Sequence, residues 1–277
     1  PSLDEIRRHL KSDLGRIKEK GYSVEEIHQC IVAFLGKRER YRQLVEQFST
    51  TIQGDPGISH YVHSVRFRVK DPFHLADKLV RKCLCDRNEA PRNITAATLF
   101  DENLGVTDLG GVRLLHLRRE DWKPIHVYLT KTNPMTGLDL RSKKAYAKAD
   151  QKHDYIGPDL FSDDEVEGKP KSVYTSLHYV FRGPSLYGEG LFECQVRTLF
   201  EEGWSEIDHQ MNYPYAANSI VGGHLESLND AAHLANKLAS KLDTLKSIPL
   251  FVPWETEQRL ERSADCVYCV TPDLGWV

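Results

Sequence analysis

Six polar side chains recur at every second position of two stretches that the sequence predicts to be neighbouring β-strands, 174–181 and 191–196. Glycine and proline residues between the stretches predict a turn. The six residues are Tyr174, Ser176, His178, Glu193, Gln195 and Arg197. Because alternate side chains of a strand share one face of the sheet, we expect an aromatic ring, an imidazole, a carboxylate, an amide and a guanidinium on one small surface.

The second of these strands leads directly into a predicted helix, 197–211. Its apolar residues fall on one stripe that predicts a buried face (Phe200, Trp204, Ile207 and Met211). Glu206 and His209 lie on roughly the opposite side, so we expect them near the polar surface of the strands or in solvent. For His209, a histidine bonded to its helical neighbours is an equally good interpretation.

A second group of charged residues surrounds a predicted strand, 61–69, and the helix that follows it from Pro72 to about residue 85. Asp71 and Pro72 are typical of a helix start. Six basic residues against two acidic ones give a local charge of +4 (Arg66, Arg68, Lys70, Lys78, Arg81 and Lys82 against Asp71 and Asp77). Cations beside a helix N-terminus suit a polyphosphate, although solvated surface charge is the simpler interpretation.

Asp108 is followed by a pair of glycines and by Arg113, at the start of an apolar strand predicted over 112–117. A carboxylate at a strand start beside glycines suits a metal-bound ligand, since glycine lets a ligand approach the backbone. A capping residue in a tight turn is the alternative. A helix is predicted next, over 120–130.

The segment 131–172 is long and polar, and carries a basic run followed by an acidic run. We interpret it as an insertion within the domain, either a mobile segment that covers the substrate or a loop whose opposite charges pair with each other.

The remaining sequence predicts helical packing rather than chemistry. Residues 1–50 are expected to be helices packed on the core, with a capping box formed by Ser23 and Glu26. A long helix is predicted near 225–245 with a packing stripe of alanines and leucines, and 249–277 is expected to be an irregular tail. The domain itself is expected to span 51–248. Together these elements predict an α+β fold, a mixed sheet of about five strands flanked by helices.

Composition limits the class of protein. A formal net charge of −3 excludes a polycation, so contacts to nucleotides or nucleic acid must come from local patches. The sequence lacks an apolar run that predicts a membrane span or a signal peptide, so we expect a cytoplasmic protein without a membrane partner. The pair Cys266 and Cys269 is half of a zinc knuckle, and free thiols are the favoured interpretation.

Linked motifs resemble the synthetase domain of the RelA/SpoT family, whose members make the alarmone (p)ppGpp. They are Tyr174-x-Ser176-x-His178, then Glu193-x-Gln195-x-Arg197, then Trp204-x-Glu206-x-x-His209. Earlier in the chain, Arg68, Lys70 and Lys78 match the family's donor element, and Asp108, Gly111 and Arg113 match its aspartate motif. The resemblance spans about 61–213. His74 stands where the family has serine, and Ser172-Val173 where it has Asn-Gly.

The resemblance implies a nucleotidyltransferase-like synthetase fold and a role for each matched residue. It implies ATP as donor, bound by Arg68, Lys70, His74, Lys78 and Arg113. It implies Mg²⁺ held by Asp108 and Glu193, which with Arg68 and Lys70 are the expected catalytic residues. The acceptor is expected to stack on Tyr174 and to be oriented by Ser176, His178, Gln195 and Arg197, with Glu206 and His209 in support.

Three functions remain open from the sequence. The first is a small, synthetase-only pyrophosphokinase that makes a guanine or adenine alarmone. The second is a toxin-like relative that transfers pyrophosphate to the 3′ end of tRNA and is neutralised by an antitoxin protein. The third is a catalytically inactive sensor that binds a nucleotide or RNA. The retained carboxylates Asp108 and Glu193 argue against the third.

Overall fold

The computed structural model describes residues 1–84, 95–102, 106–132, 134–169, 175–212 and 219–245. Tyr174, the Cys266/Cys269 pair and the expected tail 249–277 lie outside these ranges. Among the helices that are described, none is long and apolar enough to cross a membrane.

The N-terminal region is helical, as expected. It comprises α1 (Leu3–His9), α2 (Leu14–Glu19), α3 (Val24–Leu35), α4 (Arg38–Gly54) and the short α5 (Pro56–Ser59). The capping box is confirmed, because the Ser23 side chain accepts from the Glu26 backbone and the Glu26 side chain accepts from the Ser23 backbone. Helices α1 to α3 share an apolar cluster with the later helix α6 (Pro72–Leu84), whereas α4 packs under the sheet.

The centre of the fold is one mixed sheet of six strands, one more than the five expected from the sequence. The strands are β1 (Ser64–Val69), β2 (Gly110–His116), β3 (Asp139–Lys148), β4 (Val166–Lys169), β5 (Ser176–Gly183) and β6 (Gly190–Thr198). Their order is β1-β2-β6-β5-β3-β4, with β2 parallel to β6, β3 parallel to β4, and the other pairs antiparallel.

The two faces of the sheet differ because each strand alternates apolar and polar residues. One face buries apolar side chains such as Val112, Tyr179 and Cys194 against α4 and α7 (Trp122–Lys131). Close packing on this side requires a glycine at the start of β2, since a Cβ on Gly110 would lie 2.8 Å from Val45 Cγ1. The other face is polar and holds the residues in which the sequence predicted chemistry.

The interpretation of 131–172 as an inserted loop was wrong for much of its length. Residues 139–148 form β3 and 166–169 form β4, joined by 3₁₀ turns at 149–155 and 163–165. The strand pattern was concealed because Ala145 and Ala147 are the small residues that β3 buries, among charged neighbours. The alternative that the opposite charges pair was confirmed: Lys143 bonds Glu165 at 2.6 Å, and Lys144 lies 2.6 Å from Glu167.

The last two helices among the described residues are α8 (Leu199–Asn212) and α9 (Ser219–Leu245), which pack on each other. The expected buried stripe of α8 was mostly wrong. Trp204 is buried, but Phe200, Ile207 and Met211 are exposed, and the helix instead turns Glu202 inward. The physical reason is the sheet below it, whose polar face presents Arg113 and Arg197 to the helix.

Candidate active site

Asp108 lies just before β2, in a cluster of charges that three elements assemble. Lys70, which follows β1, bonds its Oδ2 at 2.7 Å, and Lys78 from α6 lies 2.7 Å from its Oδ1. Burial alone would raise the pKa of the Asp108 carboxyl, but the two ammonium groups hold it far below its usual value. Burial also lowers the pKa of Lys70, in spite of the attraction of Asp108.

Glu193 lies across the sheet from this cluster. In the register, Gly111 of β2 is paired with both Arg68 of β1 and Glu193 of β6. The Glu193 carboxylate bonds His178 Nδ1 at 2.8 Å and accepts from Gln195 Nε2 at 2.6 Å. Burial and the charge of Asp108 act to raise the pKa of Glu193, but His178 and Gln195 outweigh them and lower it. The carboxylate is therefore ionised at neutral pH.

One cavity of about 180 Å³ joins the two carboxylates. It is lined by polar residues of β1, β2 and β6 together with Asp108 (Arg66, Arg68, Arg113, Glu193 and Gln195). A second cavity of about 130 Å³ adjoins it through the shared Arg68 and is lined mainly by basic side chains (Lys70, His74, Arg81 and His209). Each cavity is too small for a whole nucleotide but large enough for part of one.

The second cavity includes the N-terminus of α6. Asp71 caps the helix as predicted, with Oδ1 accepting from the backbone N–H groups of Phe73 (2.8 Å) and His74 (3.1 Å). The imidazole rings of His74 and His209 face each other edge-on, with centroids 6.1 Å apart. Burial lowers the pKa of His209, and His74 and Arg68 add to the effect. His209 thus lies in the cleft, whereas the sequence allowed a purely structural position.

Arg113 and Arg197 belong to a network that fixes α8 on the polar face of the sheet. Arg113 lines the cavity, but its guanidinium bonds Glu202 at 2.7 Å and also Glu206. Arg197 is buried; it donates to Ser205 (2.9 Å) and to Gln195 Oε1, and lies 3.3 Å from Glu202. The sequence assigned these arginines to donor and acceptor, and it gave no role to Glu202, which is the residue that joins them.

The predicted acceptor residues are only partly brought together. His178 and Gln195 lie beside Glu193, but Ser176 is buried and lines a separate small cavity next to Thr198 and Glu201. Its hydroxyl has no hydrogen-bond partner within the described part of the chain.

Lys144 and Tyr146 extend the polar face, and the sequence reasoning missed both. Lys144 pairs with His178 in the β3–β5 register, and the Tyr146 ring lies 4.8 Å from the His178 ring. Their spacing of two residues was the available signal, but the segment had been interpreted as a loop.

Asp108 and Glu193 form a donor set that suits Mg²⁺. This ion is commonly bound through one or two carboxylates together with substrate phosphates and water. The described residues contain no cluster of three or more histidine, cysteine or acidic residues that could hold a metal by itself. Each oxygen of the Asp108 carboxylate has two lone pairs and lies 2.7 Å from one lysine, so each keeps a lone pair for a cation. The residues therefore fit the ion that the resemblance implies.

The sequence matches the family described as "Region found in RelA / SpoT proteins" over residues 67–218, which is more than half of the chain. The chain belongs to the RelA/SpoT family.

The individual proteins that match this chain share only a low sequence identity with it. The GTP pyrophosphokinase YjbM of Bacillus subtilis (strain 168) is 26% identical over 213 residues, covering 73% of this chain and 82% of that protein. The small alarmone synthetase 1 of Bacillus subtilis, solved with its product pppGpp, has a TM-score of 0.54 at 20% identity. That comparison covers 74% of this chain and 93% of the synthetase. A GTP pyrophosphokinase family protein of Streptococcus pneumoniae has a TM-score of 0.50 at 22% identity, covering 83% and 97%. These structures confirm the expected fold.

Proposed function

We propose that this protein is an ATP-dependent pyrophosphokinase that transfers the β,γ-pyrophosphate of ATP to the 3′-hydroxyl of a guanine nucleotide, making a (p)ppGpp-type alarmone. The observation that carries the proposal is the cleft itself. Asp108 and Glu193, two ionised carboxylates, border one cavity that is also lined by three arginines, Arg66, Arg68 and Arg113. Support also comes from the relatives, which are a GTP pyrophosphokinase and an alarmone synthetase that binds pppGpp.

The donor side of the cleft would neutralise a triphosphate. Arg68 borders both cavities, and Lys70 and Lys78 reach the same point from β1 and α6. His74 and Arg81 lie further along the second cavity, beside the N-terminus of α6. Fixed cations in a partly buried site stabilise the charge that accumulates on phosphoryl oxygens in the transition state.

Asp108 and Glu193 would hold Mg²⁺, which when bound supplies charge neutralisation of the phosphates and orients them for displacement. The residues of the protein place the acceptor. Glu193 is fixed by His178 and Gln195, and each of its oxygens has a further lone pair that can accept a proton or hydrogen bond from the 3′-hydroxyl. Gln195 is fixed in turn by Arg197, which we therefore assign a positioning role.

The reaction exchanges one phosphorus–oxygen bond for another. The 3′-oxygen of the acceptor bonds to the β-phosphorus of ATP, and the bond from that phosphorus to the α,β-bridging oxygen breaks. AMP leaves with the electron pair, and the hydroxyl proton passes to Glu193 or to solvent. Lys144 and Tyr146, beside His178, are proposed to contact the acceptor together with Tyr174.

The test is transfer of label from γ-³²P-ATP with Mg²⁺ to GDP, GTP, ADP or deacylated tRNA, offered in separate reactions. Labelled guanine nucleotide is expected, and its formation should be lost in Asp108→Asn and Glu193→Gln. Glu189→Gln is the matched control, because Glu189 lies in the β5–β6 turn, outside both cavities. Absence of transfer to every acceptor, by a protein that still binds ATP, would overturn the proposal in favour of the sensor.

The tRNA-modifying alternative, with its antitoxin partner, was suggested by the basic run 141–152, by the long insertion and by Ser172-Val173. In the basic run, four side chains form ion pairs within the protein (Arg141 with Glu102 and Asp139, Lys143 with Glu165, Lys144 with Glu167, Lys152 with Asp163). A neutralised run attracts a polyanion less strongly than free cations do. Label that enters only tRNA would nevertheless restore this alternative and displace the proposal.

A further inference from the structure

The chain reaches Asp108 through a segment whose two ends are joined by a backbone hydrogen bond. The Val106 N–H donates to the Leu99 carbonyl at 2.9 Å, and both residues are buried. We call this stretch the 99–106 segment. Thr107 is the one residue between it and Asp108, so the backbone of Asp108 moves when the base of the segment moves.

Glu102, in the same segment, bonds to strands on the far side of Glu193. Its Oε1 accepts from Arg141 Nε of β3 at 2.7 Å, and its Oε2 accepts from Arg182 Nη2 of β5 at 3.0 Å. In the order of the sheet, β6 with Glu193 lies between β5 and the strand that follows Asp108, which is β2. The Glu102 carboxylate therefore ties the segment that leads to one carboxylate of the cleft to the sheet beyond the other. We call this bridge the Glu102 clasp.

The chemistry of the clasp suits a firm contact. Each carboxylate oxygen receives one guanidinium, so two charge-assisted hydrogen bonds are made at once. The Glu102 side chain is 23% exposed, which limits the competition from water. The hydrogen bond from Arg141 and the charges of both arginines lower the pKa of Glu102, so the carboxylate is ionised at neutral pH. Arg182 pairs with Leu191, two residues before Glu193 on the same strand, and so lies on the polar face.

We propose that Glu102 is a positioning residue, which through Arg141 and Arg182 fixes the separation of Asp108 from Glu193. The inference rests on the proposed function, in which those two carboxylates hold Mg²⁺. Glu102 itself lines neither of the two cavities and acts through the backbone. Without the clasp the segment would move about its base and carry Asp108 with it. Because Mg²⁺ demands near-ideal octahedral geometry, a small displacement of one ligand weakens its binding.

Hydrogen exchange of the free protein tests the clasp without reference to catalysis. In Glu102→Ala, the Val106 amide should exchange about tenfold faster, because the segment opens without breaking two charge-assisted hydrogen bonds. Asp139→Asn is the matched control. Asp139 bonds the same Arg141 at 2.7 Å but lies on β3, so its loss should leave the exchange of Val106 unchanged. An unchanged rate at Val106 in Glu102→Ala would overturn the proposal.

The effect on the metal is tested by calorimetry with α,β-methylene-ATP, which lacks the bond that the reaction breaks, at increasing Mg²⁺. Glu102→Ala should raise the Mg²⁺ concentration for half-maximal binding about tenfold and leave the affinity without Mg²⁺ unchanged. Glu102→Asp, which keeps the charge, should recover part of the loss. An equal Mg²⁺ requirement in Glu102→Ala and the parent would overturn the positioning role. Neither measurement needs transfer, so a parent that makes no alarmone would refute the proposed function alone.

Discussion

Glu202 is expected to be the charged residue on which the position of α8 most depends. Its side chain is 4% exposed and lies 2.7 Å from Arg113 and 3.3 Å from Arg197, whose own side chain is 2% exposed. The change Glu202→Gln keeps the shape of the side chain and removes its charge. Arg197 would then lose this carboxylate and keep its hydrogen bonds to Ser205 and Gln195.

The free energy of unfolding lost in Glu202→Gln can be estimated from the burial of Glu202 and Arg197. Removing one partner of a buried ion pair costs about 3–5 kcal/mol, because the other charge is left uncompensated. For a chain of this size, 1 kcal/mol corresponds to about 2–4 °C in Tm. Glu202→Gln should therefore lower the Tm by roughly 6–20 °C. A thermal melt followed by circular dichroism measures this directly.

Glu206 provides the matched control, because it is one helical turn away and bonds the same guanidinium of Arg113. It is 47% exposed, so water can replace the contact, and Glu206→Gln should cost about 1 kcal/mol or less. If the two variants melted within about 2 °C of each other, the network would not be the anchor of α8 and the argument from burial would be refuted.

Three further predictions follow from the same contacts. Tyr146→Ala should raise the KM for the acceptor about tenfold and leave the KM for ATP unchanged, as initial rates would show, because the ring adjoins His178 on the acceptor side. Burial and neighbouring cations lower the pKa of His209, and a bound triphosphate would raise it. The affinity for ATP should therefore strengthen as the pH falls below neutral, and His209→Asn should weaken this dependence. Lys143→Met should lower the free energy of unfolding by about 1–3 kcal/mol, because Glu165 loses its ion-pair partner. Lys131→Met removes a more exposed ion pair, with Asp159, and should leave the free energy of unfolding almost unchanged in the same urea titration.

The parts of the site that could be predicted from the sequence were those carried by local pattern. Alternation placed His178, Glu193 and Gln195 on one sheet face, and the cap at Asp71 located the start of α6. Both features depend on residues close together in the chain, so their geometry follows from strand and helix periods. Lys70 lies 38 residues from Asp108 in the chain and Lys78 lies 30, and the family resemblance, rather than any local pattern, brought these residues together.

The parts that could not be predicted depend on what each segment packs against. The apolar stripe expected on α8 placed Glu202 on roughly the opposite side of the helix, but the face of the sheet below the helix carries Arg113 and the buried Arg197. Strand β3 was missed for a related reason. Its lysines are typical of a solvated run, but in the structure they pair with Glu165 and Glu167, which lie more than 20 residues later in the chain. The strand β3 and the orientation of α8 were therefore missed because ion pairs between residues far apart in the chain, rather than an apolar pattern, determine which of their side chains face inward.

The distribution of charge also explains how so polar a cleft can be stable without substrate. Buried ions are tolerated when each has a counter-charge or hydrogen bonds, and here the protein supplies them: two lysines for Asp108, and His178 with Gln195 for Glu193. The lysines proposed for the donor phosphates are thus held on the carboxylate proposed for Mg²⁺. In an exchange of partners on ATP binding, Lys70 and Lys78 would move from Asp108 to the phosphates, and Asp108 would hold Mg²⁺ together with Glu193. Because charge stays balanced throughout, the exchange avoids the desolvation cost of leaving any of these groups unpaired.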